Sequence, residues 1–142
     1  MLEFFFIATT LYVGPFWFAM LFSPKTVKTK KLLDKSYFFL GPIIIWLVVM
    51  IINPSNLADF SESFNSEEGF LLGLVGAMSS KAGVTATWAH MVAGDIFATR
   101  WIWKKCLEHN INPIVRTLSI FFGVMLMPIG IVIYLISTFN KK

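Results

Sequence analysis

The chain has 142 residues, of which 56% are hydrophobic and 14% are charged, whereas about a quarter of the residues of soluble domains are charged. Because the apolar blocks are spread along its whole length, the composition predicts one integral membrane domain over residues 1–142. The net charge of +4 arises from Lys and Arg at the ends of apolar blocks, which argues against a nucleic-acid-binding surface. The single cysteine excludes an intrachain disulfide and a cysteine-built metal site.

Three uncharged apolar segments predict membrane-spanning helices over about residues 4–22, 37–53 and 117–138. Each is long enough, with its uncharged flanks, to cross a hydrocarbon core of about 30 Å. The first lacks a basic start and a small-residue cleavage site, so we expect it to remain in the mature protein. The last contains Pro128 and Gly130, which predict a kink within one spanning helix.

The remaining helix is predicted over residues 83–103 although it contains Asp95 and Arg100. Each of these charges costs about 2.5–3.5 kcal/mol near the centre of a membrane helix, and the apolar residues around them offset that cost. The uncharged run from Gly69 to Ser80 is too short to span and predicts an interfacial or re-entrant segment. The expected fold is therefore an all-α integral membrane protein, a four-transmembrane-helix bundle with this short segment before the third helix.

The charges of the loops predict the orientation of the bundle, because cytoplasmic loops are enriched in Lys and Arg. The first and third loops are basic and the second is acidic, so both termini are expected on the outer or luminal side. Lys141 and Lys142 oppose this orientation. The membrane expected is a bacterial inner membrane or a photosynthetic, thylakoid-type membrane. The loop charges are Lys25, Lys28, Lys30, Lys31, Asp34 and Lys35, then Asp59, Glu62, Glu67, Glu68 and Lys81, then Lys104, Lys105, Glu108 and Arg116.

The polar residues of the third helix cannot contact one another on an ideal helix. At about 100° per residue, His90 and Asp95 lie on faces about 140° apart, and so do Asp95 and Arg100. Asp95 therefore needs a proton or a partner on another helix, whereas Arg100 can either extend to the headgroups or act inside the protein. The candidate hydrogen-bond partners of Asp95 are Tyr12, Trp46 and Tyr134.

Two functional groups are candidates for proton transfer. His90 suits either general acid or general base catalysis because the ordinary pKa of histidine is about 6.5. A carboxyl near mid-membrane, as expected for Asp95, is favoured in its neutral form and can donate a proton. For both residues a purely structural hydrogen-bonded role remains open. Since the chain has only two histidines, a three-His zinc site is excluded, and no metal site is predicted.

The polar residues of the third helix form a motif at fixed spacing. Trp88, His90, Asp95, Phe97 and Arg100 follow the pattern W-x-H-x4-D-x-F-x2-R. This pattern resembles the core of the plant neoxanthin-synthesis family, the abscisic-acid-deficient-four type, with its small bacterial relatives. The similarity covers most of the chain and includes Ser79-Ser80, Ala98, Trp101, Pro15-Phe16, Pro24, the Lys-rich first loop and Pro128-Ile129-Gly130.

The resemblance implies a small four-helix membrane protein of carotenoid metabolism. In plants the family is required to convert violaxanthin, an epoxy-xanthophyll, into the allenic neoxanthin in plastid membranes. This isomerisation needs an acid at the epoxide oxygen and a base at a polyene carbon, and it needs no redox cofactor. Matching this chemistry to the residues gives the hypothesis that His90 and Asp95 are catalytic, with His90 as acid or base and Asp95 in a supporting or second proton-transfer role. The implied substrate-binding residues are Trp88, Phe97, Arg100 and Trp101.

Three functions are therefore compatible with the sequence. The first is an isomerase of epoxy-xanthophylls without a cofactor, and the second is a non-catalytic pigment-binding or assembly factor. The third is a small proton-coupled transporter that uses Asp95. The expected partners are the lipid bilayer, a carotenoid, and either a second copy of the chain or proteins of the carotenoid pathway.

Overall fold

The computed structural model describes residues 1–62, 64 and 69–139. The described part is all-helical, and its longest helix is α6, which packs against α1, α3 and α7. The helices are α1 (Leu2–Phe22), α2 (Val27–Asp34), α3 (Tyr37–Ile52), α4 (Pro54–Glu62), α5 (Phe70–Met78), α6 (Lys81–Glu108), α7 (Pro113–Met125) and α8 (Met127–Phe139).

Two to three helical segments of the described chain are long and apolar enough to cross a membrane. Two are Leu2–Phe22 and Val27–Ile52, and the third consists of α5 and α6 taken together across a bend of 97°. Large apolar side chains remain exposed on the outside of the bundle, such as Leu11 at 69% and Ile51 at 74%. Apolar surface of this extent is typical of contact with lipid rather than water.

Small side chains on α6 allow α3 to approach closely. Ala82 and Ala86 are buried against Val49 of α3, and close approach of helices at small residues is characteristic of membrane bundles. The other end of α6 carries larger buried residues such as Ile96 and Ile102. As a result α6 forms the central element on which the other long helices are assembled.

The basic first loop contains a helix that hydropathy did not predict. The hydroxyl of Thr26 accepts a hydrogen bond from the backbone N–H of Thr29 at 3.2 Å, which is a standard helix N-cap. The helix α2 that follows ends at Asp34 and places Leu33 and Thr29 in the protein interior. A Lys-rich segment that buries Thr29 and Leu33 therefore covers this end of the bundle as a short amphipathic helix.

The run from Gly69 to Ser80 forms the helix α5, which meets α6 at the 97° bend. The hydroxyl of Ser80 accepts a hydrogen bond from the N–H of Gly83 at 2.9 Å and begins α6. A methyl group at Gly83 would lie 2.3 Å from the carbonyl oxygen of Ala77, closer than real contacts allow. Glycine at this position therefore permits the sharp turn, and a re-entrant position of α5 stays a prediction.

The prediction of one kinked spanning helix over residues 117–138 is wrong, because the chain reverses at Leu126. A methyl group on Gly130 would lie 2.5 Å from the nitrogen of Gly123 and 2.6 Å from the carbonyl oxygen of Ser119. Residues seven apart on one helix would be about 10 Å apart, so α7 and α8 pack side by side. Each has 13 residues, or about 20 Å, which is shorter than a hydrocarbon core of about 30 Å.

The reversal places Tyr134 of α8 beside the end of α6. The Tyr134 hydroxyl lies 3.0 Å from Nδ1 of His109, whereas at the opposite end of α6 the ammonium of Lys81 lies 3.9 Å from the carboxylate of Glu3. The beginning of α1 and the end of α8 therefore lie at opposite ends of α6, where the sequence predicted both termini on one side.

The two basic loops lie together at one end of α6. The Trp103 indole N–H donates to the carbonyl of Pro24 at 3.0 Å, and Lys25 shares a small cavity with Asn110. Placement of this end at the cytoplasmic face stays a prediction. Four charges used for that prediction lie outside the described residues, namely Glu67, Glu68, Lys141 and Lys142.

Candidate functional site

A largely apolar cavity of about 590 Å³ lies between α3, α5 and the first half of α6. Ligand sites are commonly cavities of about 300–1,000 Å³ with apolar walls and few polar groups, so this cavity has the dimensions of a binding site. Phe70 and Met78 are partly exposed, so the cavity reaches the surface of the protein. Its lining consists of Trp46, Met50, Phe70, Leu74, Ala77, Met78, Gly83, Ala86, Thr87 and His90.

His90 is the one titratable residue in this lining. It lies about 14 Å along α6 from Lys81, at 1.5 Å per residue, and therefore in the first half of the helix. Thr87 lies one turn earlier and also lines the cavity, since residues three apart share a helix face. The cavity thus combines an imidazole and a hydroxyl with walls that are otherwise apolar, which suits an apolar molecule with a polar end.

The indole of Trp88 connects α6 to α1 instead of lining the cavity. Its N–H donates to the hydroxyl of Thr10 at 2.9 Å, and its ring stacks on Phe6 with centroids 5.1 Å apart. Both contacts join helices 78 or more residues apart in sequence. The position of Trp88 is explained by helix packing, and substrate binding by this residue stays a prediction.

Asp95 lies near the middle of α6 and is not part of the cavity lining. It is seven residues from Trp88, so both share the helix face that meets α1. None of the described residues donates a hydrogen bond to its carboxylate. Two of the predicted partners have other contacts: Tyr12 donates to the carbonyl of Tyr37, and Tyr134 contacts His109. The structure therefore separates Asp95 from His90, as the ideal-helix geometry predicted.

The two other aromatic candidates face different neighbours. The Phe97 ring contacts Phe38 and Phe39 of α3, with centroids 6.4 and 5.7 Å away. The Trp101 ring packs edge-on against Tyr134 of α8 at 5.3 Å. These residues hold α3 and α8 against α6, and neither lines the cavity that contains His90.

Arg100 contacts the end of α2. Its Nε donates a hydrogen bond to the carbonyl oxygen of Leu33 at 2.6 Å, and its guanidinium carbon lies 5.3 Å from the centre of the Phe38 ring. A cation at a helix C-terminus compensates the carbonyl groups that have no partner within the helix. The structure shows this contact within the protein, and extension of the side chain to the headgroups stays a prediction.

Replacing Arg100 by Gln is expected to lower the free energy of unfolding by about 1.5–3 kcal/mol, because hydrogen bonds that involve a charged group contribute that much. Thermal unfolding of the purified protein in detergent measures the loss. Lys104→Gln removes the same charge one turn later from an exposed side chain and is expected to have little effect. Equal destabilisation by both substitutions would show that the contact with Leu33 is unimportant.

Among the six residues predicted for the site, only His90 lines the cavity, and the other five pack against neighbouring helices or face α1. Sequence analysis did not predict Met50, Phe70 or Leu74 as lining residues, because apolar residues in apolar helices carry no distinguishing pattern. Within the described residues, no three His, Cys, Asp or Glu side chains lie close enough together to hold a metal ion.

Comparison with known proteins adds an independent line of evidence. The profile of the ABA DEFICIENT 4-like family matches residues 4–134. The chain is 30% identical over 131 residues to Protein ABA DEFICIENT 4, chloroplastic, of Arabidopsis thaliana, and the match covers 90% of the chain but 57% of that relative. No solved structure matches the chain. Because the family profile extends over most of the sequence, including the motif on α6, the chain belongs to the ABA DEFICIENT 4-like family.

Proposed function

We propose that the cavity beside His90 binds one end ring of a xanthophyll and that His90 transfers a proton in its isomerisation. The observation that carries the proposal is the position of His90 in the lining of a largely apolar cavity of about 590 Å³. The similarity to ABA DEFICIENT 4 and the resemblance to the neoxanthin-synthesis family support this substrate class. The chain spans about 57% of that relative, so activity and substrate are both part of the proposal.

The walls of the cavity suit a terpenoid ring. Trp46, Met50 and Leu74 supply apolar contact, and Met adapts to irregular shapes because its side chain is flexible and polarisable. Besides the indole N–H of Trp46, the polar side-chain groups of the lining are His90 and Thr87 on one face of α6. A ring that carries an oxygen function would therefore be oriented with that oxygen toward α6.

The proposed reaction balances without an oxidant or a reductant. One proton leaves a polyene carbon, the adjacent double bonds shift to an allene, the epoxide carbon–oxygen bond breaks, and the oxygen accepts one proton. His90 supplies the acid or the base. Asp95 lies outside the lining, so a direct catalytic role for it would require a change in the conformation described here, and we assign it no step.

Co-expression of the chain in a bacterium that accumulates violaxanthin tests the proposal. We expect a new allenic pigment in the chromatogram of the extracted carotenoids, identified by its mass, which is unchanged, and by its shifted absorbance. A host that carries the empty vector is the control. An unchanged chromatogram across several epoxy-xanthophylls, with the protein present in the membrane, would contradict the isomerase.

The same cavity also supports the second function, pigment binding without catalysis. That function predicts a protein that is purified with an unmodified carotenoid and absorbs blue light, together with an unchanged pigment profile in the host. A colourless protein from a host whose pigments are unchanged would exclude both functions for this cavity.

A further inference from the structure

A second cavity lies at the opposite end of α6, where the two basic loops meet. It has a volume of about 160 Å³, far more than the roughly 15 Å³ that a single water requires. Two of its lining residues are cations, Lys25 from the segment after α1 and Arg116 from the first turns of α7. The other lining residues are Cys106, Leu107, Asn110, Ile111, Asn112 and Pro113.

One nitrogen of the guanidinium in this cavity has no hydrogen-bond partner within the described part of the chain. The Nε atom of Arg116 is buried, yet it has no hydrogen-bond partner among the described residues. The ion pairs of the described chain join Lys81 to Glu3 and Lys105 to Glu108, so neither Arg116 nor Lys25 is neutralised by a carboxylate there. A buried donor without a partner is costly, and Arg guanidinium groups are suited to phosphate oxygens.

The face of α7 opposite Arg116 is apolar and exposed. Ile114 follows directly after the lining residue Pro113, and Leu118 and Phe121 continue at helical spacing, with exposed fractions of 70%, 44% and 41%. Because Ile114 is two residues from Arg116, the two side chains lie about 160° apart around the helix. The cationic cavity therefore lies at the end of a helix whose outer face is apolar.

We infer that this cavity binds the phosphate group of an anionic phospholipid, with Arg116 and Lys25 as its cationic contacts. Basic pockets between membrane helices are known sites for anionic headgroups. The exposed apolar face of α7, which begins at Ile114, favours a lipid over free phosphate, because free phosphate shares the charge but has no apolar part. The inference rests on residues distant from His90 and is independent of the proposed isomerase.

The inference is tested with the full chain in detergent, presented with equal amounts of phosphatidylglycerol and phosphatidylcholine and analysed by native mass spectrometry. We expect the wild type to retain phosphatidylglycerol preferentially. Lys25→Gln, which alters an exposed side chain, should reduce the preference about fivefold, since one cation near an anionic lipid contributes about 1 kcal/mol. Addition of Arg116→Gln should remove it.

The matched control is the pair Lys28→Gln and Lys31→Gln, which removes the same charge from exposed positions outside this cavity and should leave the preference intact. Equal loss in both pairs would overturn the inference, because it would indicate attraction to the general surface charge. Equal retention of the two lipids by the wild type would also overturn it. If millimolar inorganic phosphate displaced phosphatidylglycerol completely, the cavity would be a free-phosphate site, and the lipid assignment would be wrong.

Discussion

Replacement of His90 by Ala is expected to abolish the conversion of epoxy-xanthophyll in the co-expressing host, while the protein still accumulates in the membrane. Removal of a positioned acid or base slows a proton transfer by about 10²–10⁴-fold, and His90 is the titratable group in the cavity lining. The measurement is the ratio of product to substrate pigment, normalised to the amount of protein. His90→Gln preserves a polar group of similar size and is expected to be equally inactive.

The matched control is Asp95→Asn, which alters the other ionisable candidate five residues away on the same helix. Because Asp95 lies outside the cavity lining, we expect this variant to retain most of the conversion. Loss of activity in Asp95→Asn together with full activity in His90→Gln would reverse the assignment and contradict the proposed site. Pigment that remains bound to inactive His90→Gln would show that the cavity binds its ligand without the imidazole.

Replacement of Gly130 by Ala is expected to lower the free energy of unfolding by about 1–3 kcal/mol, the usual cost of forcing extra volume into a packed interior. The added methyl group would meet the backbone of Gly123 at 2.5 Å and that of Ser119 at 2.6 Å. Backbone atoms cannot move aside as the end of a flexible side chain can, so α7 and α8 would have to separate. Thermal unfolding in detergent should show a midpoint lowered by several degrees.

Gly94→Ala is the control for this substitution. Gly94 lies within α6, and a methyl group there meets no atom within 4 Å. Alanine stabilises a helix interior relative to glycine by about 0.5–1 kcal/mol, so the midpoint should stay the same or rise. A single kinked helix over residues 117–138 would leave Gly130 distant from Gly123, and Gly130→Ala would then be harmless. The comparison therefore tests the reversal at Leu126 directly.

The C-terminal helices show why hydropathy could not predict this reversal. A Pro and a Gly within an apolar run are compatible with a kink as well as with a turn. Pro removes one hydrogen bond of the helix, and Gly permits backbone angles that other residues avoid. Leu126 adopts non-helical angles, with φ −151° and ψ 77°, and the adjacent helices are held by contacts at Gly123 and Gly130. Those contacts depend on how the chain folds back, and no local pattern encodes that.

Arg100 illustrates the same limit for the site. Its cost in an apolar helix indicated a special environment, but its partner, the carbonyl of Leu33, lies 67 residues away in sequence. Moreover, that carbonyl can accept a hydrogen bond from Arg100 because α2 ends there and leaves it without a partner in the helix. The sequence analysis did not predict α2 within the basic loop. The sequence thus identified the residue that needed a partner, and only the structure supplied it.

Features that depend on composition and local order could be predicted from the sequence alone. These are the all-helical, membrane-compatible character of the chain, the bounds of α1 and α3 to within one or two residues, and the motif that places the chain in its family. Each follows from hydropathy over one helix length or from fixed spacing along α6. The angular separation of His90 from Asp95 also follows from the helix period alone.

Which of those residues share a site depends on the packing of the helices against one another. The cavity exists because α5 meets α6 at 97° and brings Phe70 and Leu74 opposite Trp46 of α3, residues that are up to 28 positions apart. The same packing turns Trp88, Phe97 and Trp101 toward α1, α3 and α8. Contacts between distant segments arise from the relative positions of whole helices, and periodicity within one helix contains no information about them.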